Sequence, residues 1–175
     1  MIPYLWLPLK YPQKLATLCY FFNPEENKIL LLHRVKKEND MHQDKYIGVG
    51  GKLEPYESPW QCMVREIKEE TDVKPLDLTF RAIIFFNDIN KNSIHPALNW
   101  LVFVYRCTKY VGKIRENSEG KLVWVDLDKD FPYLNIWEGD KTFVPKLLRE
   151  EKFFEAIFTY NGSDESLVDY KLLTS

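Results

Sequence analysis

Gly51-Lys-Leu-Glu-Pro-Tyr-Glu57-Ser-Pro-Trp-Gln-Cys-Met-Val-Arg65-Glu66-Ile67-Lys-Glu69-Glu70-Thr-Asp72-Val73 is the stretch whose reading decides the fold. Within it Glu57, Glu66, Glu69, Glu70 and Arg65 stand at fixed offsets around what reads as a capped helix. Ser58 is a good N-cap, Pro59 suits the first helical position, and Gln61 stands where a capping box needs it. Trp60, Met63, Val64, Ile67 and Thr71 then recur at three- and four-residue steps, which predicts one buried stripe. Glu66 and Glu70 are four apart and fall side by side beside that stripe. Glu69 and Arg65 lie further round. Like charges held that close repel each other, so a chain that keeps them together is expected to hold a cation there. Oxygen ligands suit a hard divalent ion such as Mg²⁺ or Mn²⁺, which shares its remaining positions with water and substrate phosphates. Just upstream, Gly48-Val49-Gly50-Gly51 reads as a tight glycine loop that lets backbone groups come close to a ligand. A surface helix with solvated charges and an Arg65–Glu69 pair explains any one of these glutamates. It does not explain the whole set beside its glycine loop.

The spacing resembles the Nudix box, G-x5-E-x7-R-E-U-x-E-E-x-G-U, in which U is a bulky aliphatic residue. Gly51, Glu57, Arg65, Glu66, Ile67, Glu69, Glu70 and Val73 match it, and Asp72 stands at the second glycine. That glycine ends the helix, and Asp tolerates the left-handed region better than most residues. The departure therefore touches the helix cap and not a ligand. The resemblance implies a Nudix α/β/α sandwich with a mixed central sheet. It also implies a hydrolase acting on phosphoric anhydride bonds, with metal ligands Glu66, Glu69 and Glu70 and a carbonyl of Gly50 or Gly51. Glu57 and Arg65 belong to the same catalytic set, with Arg65 orienting a box glutamate. A box glutamate or Glu119 takes the proton of the attacking water.

The order of the remaining elements agrees with that fold. Leu15–Phe22 and Ile29–Val35 are β-rich runs joined by Asn23–Asn27, and Tyr46–Val49 is a short strand after a polar loop. Leu78–Asn87, Leu98–Thr108 and Lys121–Leu127 read as further strands. Asp140–Glu151 has apolar residues at helical spacing, and Asn161-Gly162 marks a hairpin between Phe153–Tyr160 and Ser166–Leu173. Strands, helix, strands, helix and hairpin predict a mixed sheet with helices on both faces.

A second, longer resemblance runs from residue 15 to residue 173, and its C-terminal part looks like the 8-oxo-dGTP diphosphatases of the same family. It implies that Trp137 stacks on a base and that Asp140 reads the base edge. Asp140 read by itself is equally the N-cap of the following helix. An adjacent second aspartate of the mammalian relatives is Gly139 here, and their pocket asparagine is Ile47. Glu119, with Glu116 as its neighbour, falls where such enzymes carry an extra carboxylate that completes metal binding or orients water. Arg34 and Lys52 are the cations placed to meet phosphates.

Composition narrows the classes. A chain of 175 residues with 45% hydrophobic and 15% aromatic residues is expected to fold as a single domain over residues 1–175. A formal net charge of −2 gives no polycation for binding a nucleic-acid polymer, and it argues against an RNA-decapping role. Cys19, Cys62 and Cys107 form neither a disulfide framework nor a zinc pattern. The N-terminus is apolar but broken by prolines, and reads as neither a signal peptide nor a membrane span. The expectation is a cytoplasmic Mg²⁺-dependent pyrophosphohydrolase, monomer or homodimer, that cleaves a nucleoside triphosphate to the monophosphate and pyrophosphate. 8-oxo-dGTP is the substrate that the resemblance implies. A dinucleoside polyphosphate or ADP-ribose is the alternative within the class. A catalytically silent nucleotide-binding module is the alternative outside it, and the intact set of box glutamates argues against that.

Overall fold

The computed structural model describes residues 14–35, 42–88, 99–115, 120–161 and 165–174. Chain order is β1 (Lys14–Asn23), β2 (Lys28–His33), β3 (Tyr46–Ile47), β4 (Val49–Lys52), α1 (Pro59–Thr71), β5 (Lys74–Pro75), β6 (Thr79–Asp88), β7 (Trp100–Cys107), β8 (Tyr110–Val111), β9 (Lys121–Asp126), a 3₁₀ turn (Phe131–Tyr133), α2 (Glu138–Arg149), β10 (Phe154–Asn161) and β11 (Ser166–Thr174). Nine strands form one sheet in the order β11-β10-β6-β7-β1-β2-β3, with β4 also on β1 and β9 also on β2. It is mixed as expected: β1 runs parallel to β7 and β10 parallel to β6, while the other pairs are antiparallel.

The period-two alternation of the strands decides which helix covers which face. Ala16, Tyr20 and Phe22 of β1 pack with Ile29, Leu31, Ala82, Ile84, Val102 and Val104 against Phe143, Val144, Leu147 and Leu148 of α2. Cys19 and Phe21, one residue out of step, pack with Leu30, Tyr105 and Cys107 against Met63 and Ile67 of α1. The two helices therefore lie on opposite faces. The far end of α2 is fixed by a buried arginine on β6. Arg81 donates to the carbonyls of Leu147, Glu151 and Lys152, at and just beyond the helix C-terminus, where the last carbonyls lack intrahelical partners.

One departure from regular pairing creates the crevice. β1 pairs with β2 only over Phe21–Asn23, and its earlier residues Ala16–Cys19 pair with β4 instead. All but Gly48 of the segment read as a glycine loop is thus strand. Gly50 and Gly51 are extended residues opposite Leu18 and Thr17. The α1 cap stands as read: Ser58 accepts from the Gln61 N–H, Gln61 answers to the Ser58 N–H, and Asp72 caps the other end in the left-handed region at φ 62°. Trp60 departs from the expected stripe. It is 50% exposed, with its ring edge-on to Tyr105. β5 and β8, two residues each, pair with one another and were not legible. Among the described residues no helix is long and apolar enough to cross a membrane.

Candidate active site

Arg65 organises the box. Its Nε and one terminal nitrogen donate to the two carboxylate oxygens of Glu57, at 3.1 and 2.8 Å. The other terminal nitrogen donates to Glu66 at 2.7 Å and to Glu69 at 3.2 Å. The nitrogen on Glu57 also reaches the Lys52 carbonyl, at 3.2 Å. One planar fork thus orders three carboxylates and the end of β4. The bidentate contact, with the Glu54 N–H on Glu57 Oε1, holds the Glu57 carboxyl down to about 2. The bonds to Glu57, and after them the bond to Glu66, in turn push the guanidinium pKa far above its usual value against the opposing effect of burial.

Glu70 is buried and turned the other way, and its carboxylate accepts the Gly50 N–H at 2.7 Å. Glu66 is reached by a different device. A Cβ on Gly51 would lie 2.3 Å from Glu66 Oε1. The missing side chain is therefore what lets a carboxylate from α1 pass the strand. Gly50 is equally constrained, because a Cβ there would meet the Thr17 carbonyl oxygen at 2.1 Å. Cys62, beside Thr17 and the Lys52 carbonyl, is raised to about 11 by burial and stays a thiol.

Glu66, Gly50 and Gly51 form one end of a cavity of about 540 Å³, whose lining also includes Arg34, Lys52, Trp100, Trp137, Asp140 and Tyr160. Of the residues singled out in the sequence, Arg34, Lys52, Trp137 and Asp140 therefore share a cavity with the box. Glu57, Glu69 and Glu70 do not line it. Glu119 and Glu116 lie outside the described residues. At the far end Trp137 is fixed on several sides. Its Nε1 donates to His42 Nδ1 at 3.0 Å, its ring stands edge-on to Tyr160 at 5.5 Å, and the Lys45 ammonium lies 4.4 Å from its centroid. Asp140 is 5% exposed and accepts from Tyr20 Oη at 3.4 Å. Burial raises its carboxyl to about 7, against the opposing pull of Tyr20 and Lys45. The N-cap reading of Asp140 is corrected: α2 begins at Glu138 with Trp137 at its cap, and Asp140 sits in the first turn with its carboxyl turned inward. Trp100, Phe86 and Tyr160 were missed, since they belong to separate strands that only the register brings together.

The donor set is all oxygen, as a hard divalent ion requires. Among the described residues no three acidic, histidine or cysteine side chains converge on one point. Arg65 and the Gly50 amide draw the carboxylates apart. The arrangement fits an open site, in which the Glu66 carboxylate in its Gly51 cradle would supply part of a coordination shell that water and phosphate would complete. Mg²⁺ is commonly bound in this way.

A nine-stranded mixed sheet with its two helices on opposite faces, and an arginine-ordered glutamate helix set against a glycine strand, define an α/β/α sandwich with a carboxylate-bearing cavity. The profile of the NUDIX domain matches residues 12–147, so the chain belongs to the Nudix hydrolase family. Members cleave phosphoric anhydride bonds and generally use divalent cations. The chain is 28% identical over 148 residues to a Nudix hydrolase of Bacillus subtilis (strain 168), YvcI, itself uncharacterized, covering 84% of this chain and 87% of that one. It is 28% identical over 162 residues to the oxidized purine nucleoside triphosphate hydrolase of Danio rerio, covering 93% and 96%. Its fold superposes on the MutT protein from Bacillus halodurans with a TM-score of 0.75 at 24% identity, over 91% of this chain and 97% of that one.

Proposed function

We propose that this protein hydrolyses a purine nucleoside triphosphate to the monophosphate and pyrophosphate with Mg²⁺, and that oxidised purines such as 8-oxo-dGTP are among its substrates. One observation carries the reading. A single cavity joins the Glu66–Gly51 end to an aromatic end with a buried carboxyl, so one nucleotide can place its phosphates at the first and its base at the second. The relative from Danio rerio, named for oxidized purine nucleoside triphosphates, supports the choice of base.

On this reading Glu66, with Glu69 and Glu70 of the same helix and the carbonyl of Gly50 or Gly51, holds the ion. When bound, Mg²⁺ offsets phosphate charge and makes a coordinated water more acidic. Arg65 fixes Glu57, Glu66 and Glu69 relative to Lys52, and Glu70 fixes the Gly50 backbone. Water attacks a phosphorus within the chain, its proton passes to a glutamate of the box or to Glu119, and the P–O anhydride bond breaks to release pyrophosphate. Arg34 and Lys52 meet the phosphates. Trp137 stacks on the base, a contact worth ~1–3 kcal/mol, and Asp140 meets its polar edge. We place the protein in the cytoplasm, a reading supported by its three buried thiols without a disulfide.

The test is pyrophosphate release from 8-oxo-dGTP, dGTP and dCTP with Mg²⁺ by wild type, Trp137→Ala and Asp140→Asn. The expected result is purine preference in wild type, a raised KM for purines in Trp137→Ala, and an altered 8-oxo-dGTP to dGTP ratio in Asp140→Asn. Equal kcat/KM for all three nucleotides in wild type overturns the reading. ADP-ribose and a dinucleoside polyphosphate, assayed alongside, then identify the alternative substrate.

A further inference from the structure

The cavity has a basic rim that the box does not contain. Lys14 opens β1 and pairs with Trp100, the first residue of β7, and two residues on Ala16 pairs with Lys52, the last residue of β4. Register partners and residues two apart project on the same side of a sheet. Three strands therefore bring Lys14, Lys52 and Trp100 together on the cavity side, and all three line the cavity. The Lys14 ammonium lies 4.9 Å and the Lys52 ammonium 5.7 Å from the centroid of the Trp100 indole. Neither ammonium makes an ion pair among the described residues, as is true of several other lysines; what sets these two apart is that both line the cavity beside one indole.

Two like charges over one ring repel each other, and an aromatic face offsets only part of that cost. Water alone could solvate them if they stood apart on an open surface. Here the backbone register brings both to one cavity wall, Lys14 half-buried and Lys52 exposed, where charges of one sign concentrate their field on an incoming anion. Lys52 follows Gly51 in β4, and the basic pair shares the cavity lining with Glu66.

We propose that Lys14 and Lys52, held over Trp100, form a phosphate-binding subsite for the substrate's phosphate chain, with Trp100 as the positioning residue. This deepens the function proposed above and rests on it. Lys14 and Trp100 add to the site two residues that the box spacing does not reach. The lysines act as point charges that tolerate different phosphate geometries. The subsite recognises the number of phosphates and ignores the base.

Isothermal titration at low ionic strength with EDTA, using sodium tripolyphosphate as one probe and deoxyguanosine as the other, separates these roles. Lys14→Gln is expected to weaken tripolyphosphate binding about tenfold, the size of one lost charge-assisted contact. Lys14→Arg should recover most of that loss. Trp100→Leu should weaken tripolyphosphate severalfold although it removes no charge. Deoxyguanosine should bind wild type, Lys14→Gln and Lys14→Arg alike. The proposal is overturned if wild type fails to bind tripolyphosphate, if Lys14→Gln binds it as wild type does, or if Lys14→Gln loses deoxyguanosine to the same degree. Tripolyphosphate carries no base, and titration reads no turnover. A failure here therefore leaves the nucleotide panel standing, and equal rates across that panel leave this result standing.

Discussion

A methyl group added at Gly51 tests the active-site geometry with the smallest change available. The Cβ of Gly51→Ala would lie 2.3 Å from Glu66 Oε1 and 2.5 Å from Glu66 Cδ, against 3.4 Å or more for ordinary contact. The obstacle is the end of a flexible side chain, so the fold has an escape: the carboxylate swings away by about 1 Å. That movement breaks its 2.7 Å bond to Arg65 and takes it off the cavity wall. A 1 Å misplacement of a catalytic group costs about 100-fold in rate, or about 2.7 kcal/mol in the barrier. The expected outcome is a kcat reduced about 100-fold with the melting temperature nearly unchanged, measured as pyrophosphate release and by calorimetry on the same preparation. Gly50→Ala is the contrast. Its Cβ would meet the Thr17 backbone oxygen at 2.1 Å, where nothing flexible can yield, so that variant should lose the fold as well as the activity. A folded Gly51→Ala protein with kcat within about threefold of wild type would refute the placement of Glu66 as a working carboxylate.

Glu70→Gln keeps an oxygen for the Gly50 amide and removes only the charge. Its rate should fall at least tenfold, or ~1.4 kcal/mol, at an unchanged melting temperature, and a rate above a tenth of wild type would remove Glu70 from the metal set. The Asp140 carboxyl, raised to about 7 from an ordinary 3.8, stays protonated in the folded protein while the unfolded chain ionises. Wild type should therefore lose stability relative to Asp140→Asn as pH rises from 4 to 7, by up to about 1.4 kcal/mol per pH unit, and parallel urea midpoints across that window would contradict it. Asp72→Gly relaxes the left-handed cap but gives up the contacts of Asp72 with Lys68 and Arg115. Its melting temperature should stay within about 3 °C of wild type and its kcat/KM should not change. A large loss of activity would make Asp72 a functional carboxylate.

What the sequence revealed is what local chemistry determines. Ser58, Pro59 and Gln61 make a helix start whatever surrounds them, and Asp72 takes the left-handed position because the chain must turn there. Arg65 reaches Glu69 because residues four apart on a helix are neighbours, whereas its bond to the adjacent Glu66 is not readable from helical spacing. What it hid depends on pairing between distant segments. Gly48-Val49-Gly50-Gly51 has the composition of a loop, and it is straightened by β1, which offers Ala16–Cys19 a second partner once β2 diverges. Trp60 sits on the apolar stripe by periodicity, yet it stays half in solvent with only an edge-on contact to Tyr105. The cap of α2 moved from Asp140 to Trp137 because burial beside Tyr20 outweighed the aspartate's preference for a helix terminus. Lys14, Trp100 and Tyr160 read as ordinary strand residues until the register puts them in one cavity.

The purine end shows why a family pattern has to be rebuilt on this chain's own residues. Gly139 stands where the enzymes that the tail resembles carry a second aspartate. The packed side chains of Tyr160 and Phe158 leave no room to restore one. A Cβ there would meet Tyr160 Oη at 2.6 Å and the Phe158 ring at 2.9 Å, and the Gly139 N–H already donates to that hydroxyl at 2.8 Å. Gly139 and Tyr160 are therefore one unit, in which the glycine admits the hydroxyl and the hydroxyl satisfies the amide of the first turn of α2. Ile47, in place of an amide side chain, leaves that wall of the cavity apolar. On the proposed reading a base at this end meets one carboxyl and one phenol in place of two carboxylates. The phenol accepts from Gly139 and retains its own proton to donate. The carboxyl is poised between its neutral and charged forms near pH 7, so it can present either a donor or an acceptor to the base edge. A pocket equipped this way has the means to bind more than one purine, which is why the ratio of 8-oxo-dGTP to dGTP turnover, more than the presence of either activity, measures what Gly139 and Tyr160 have replaced.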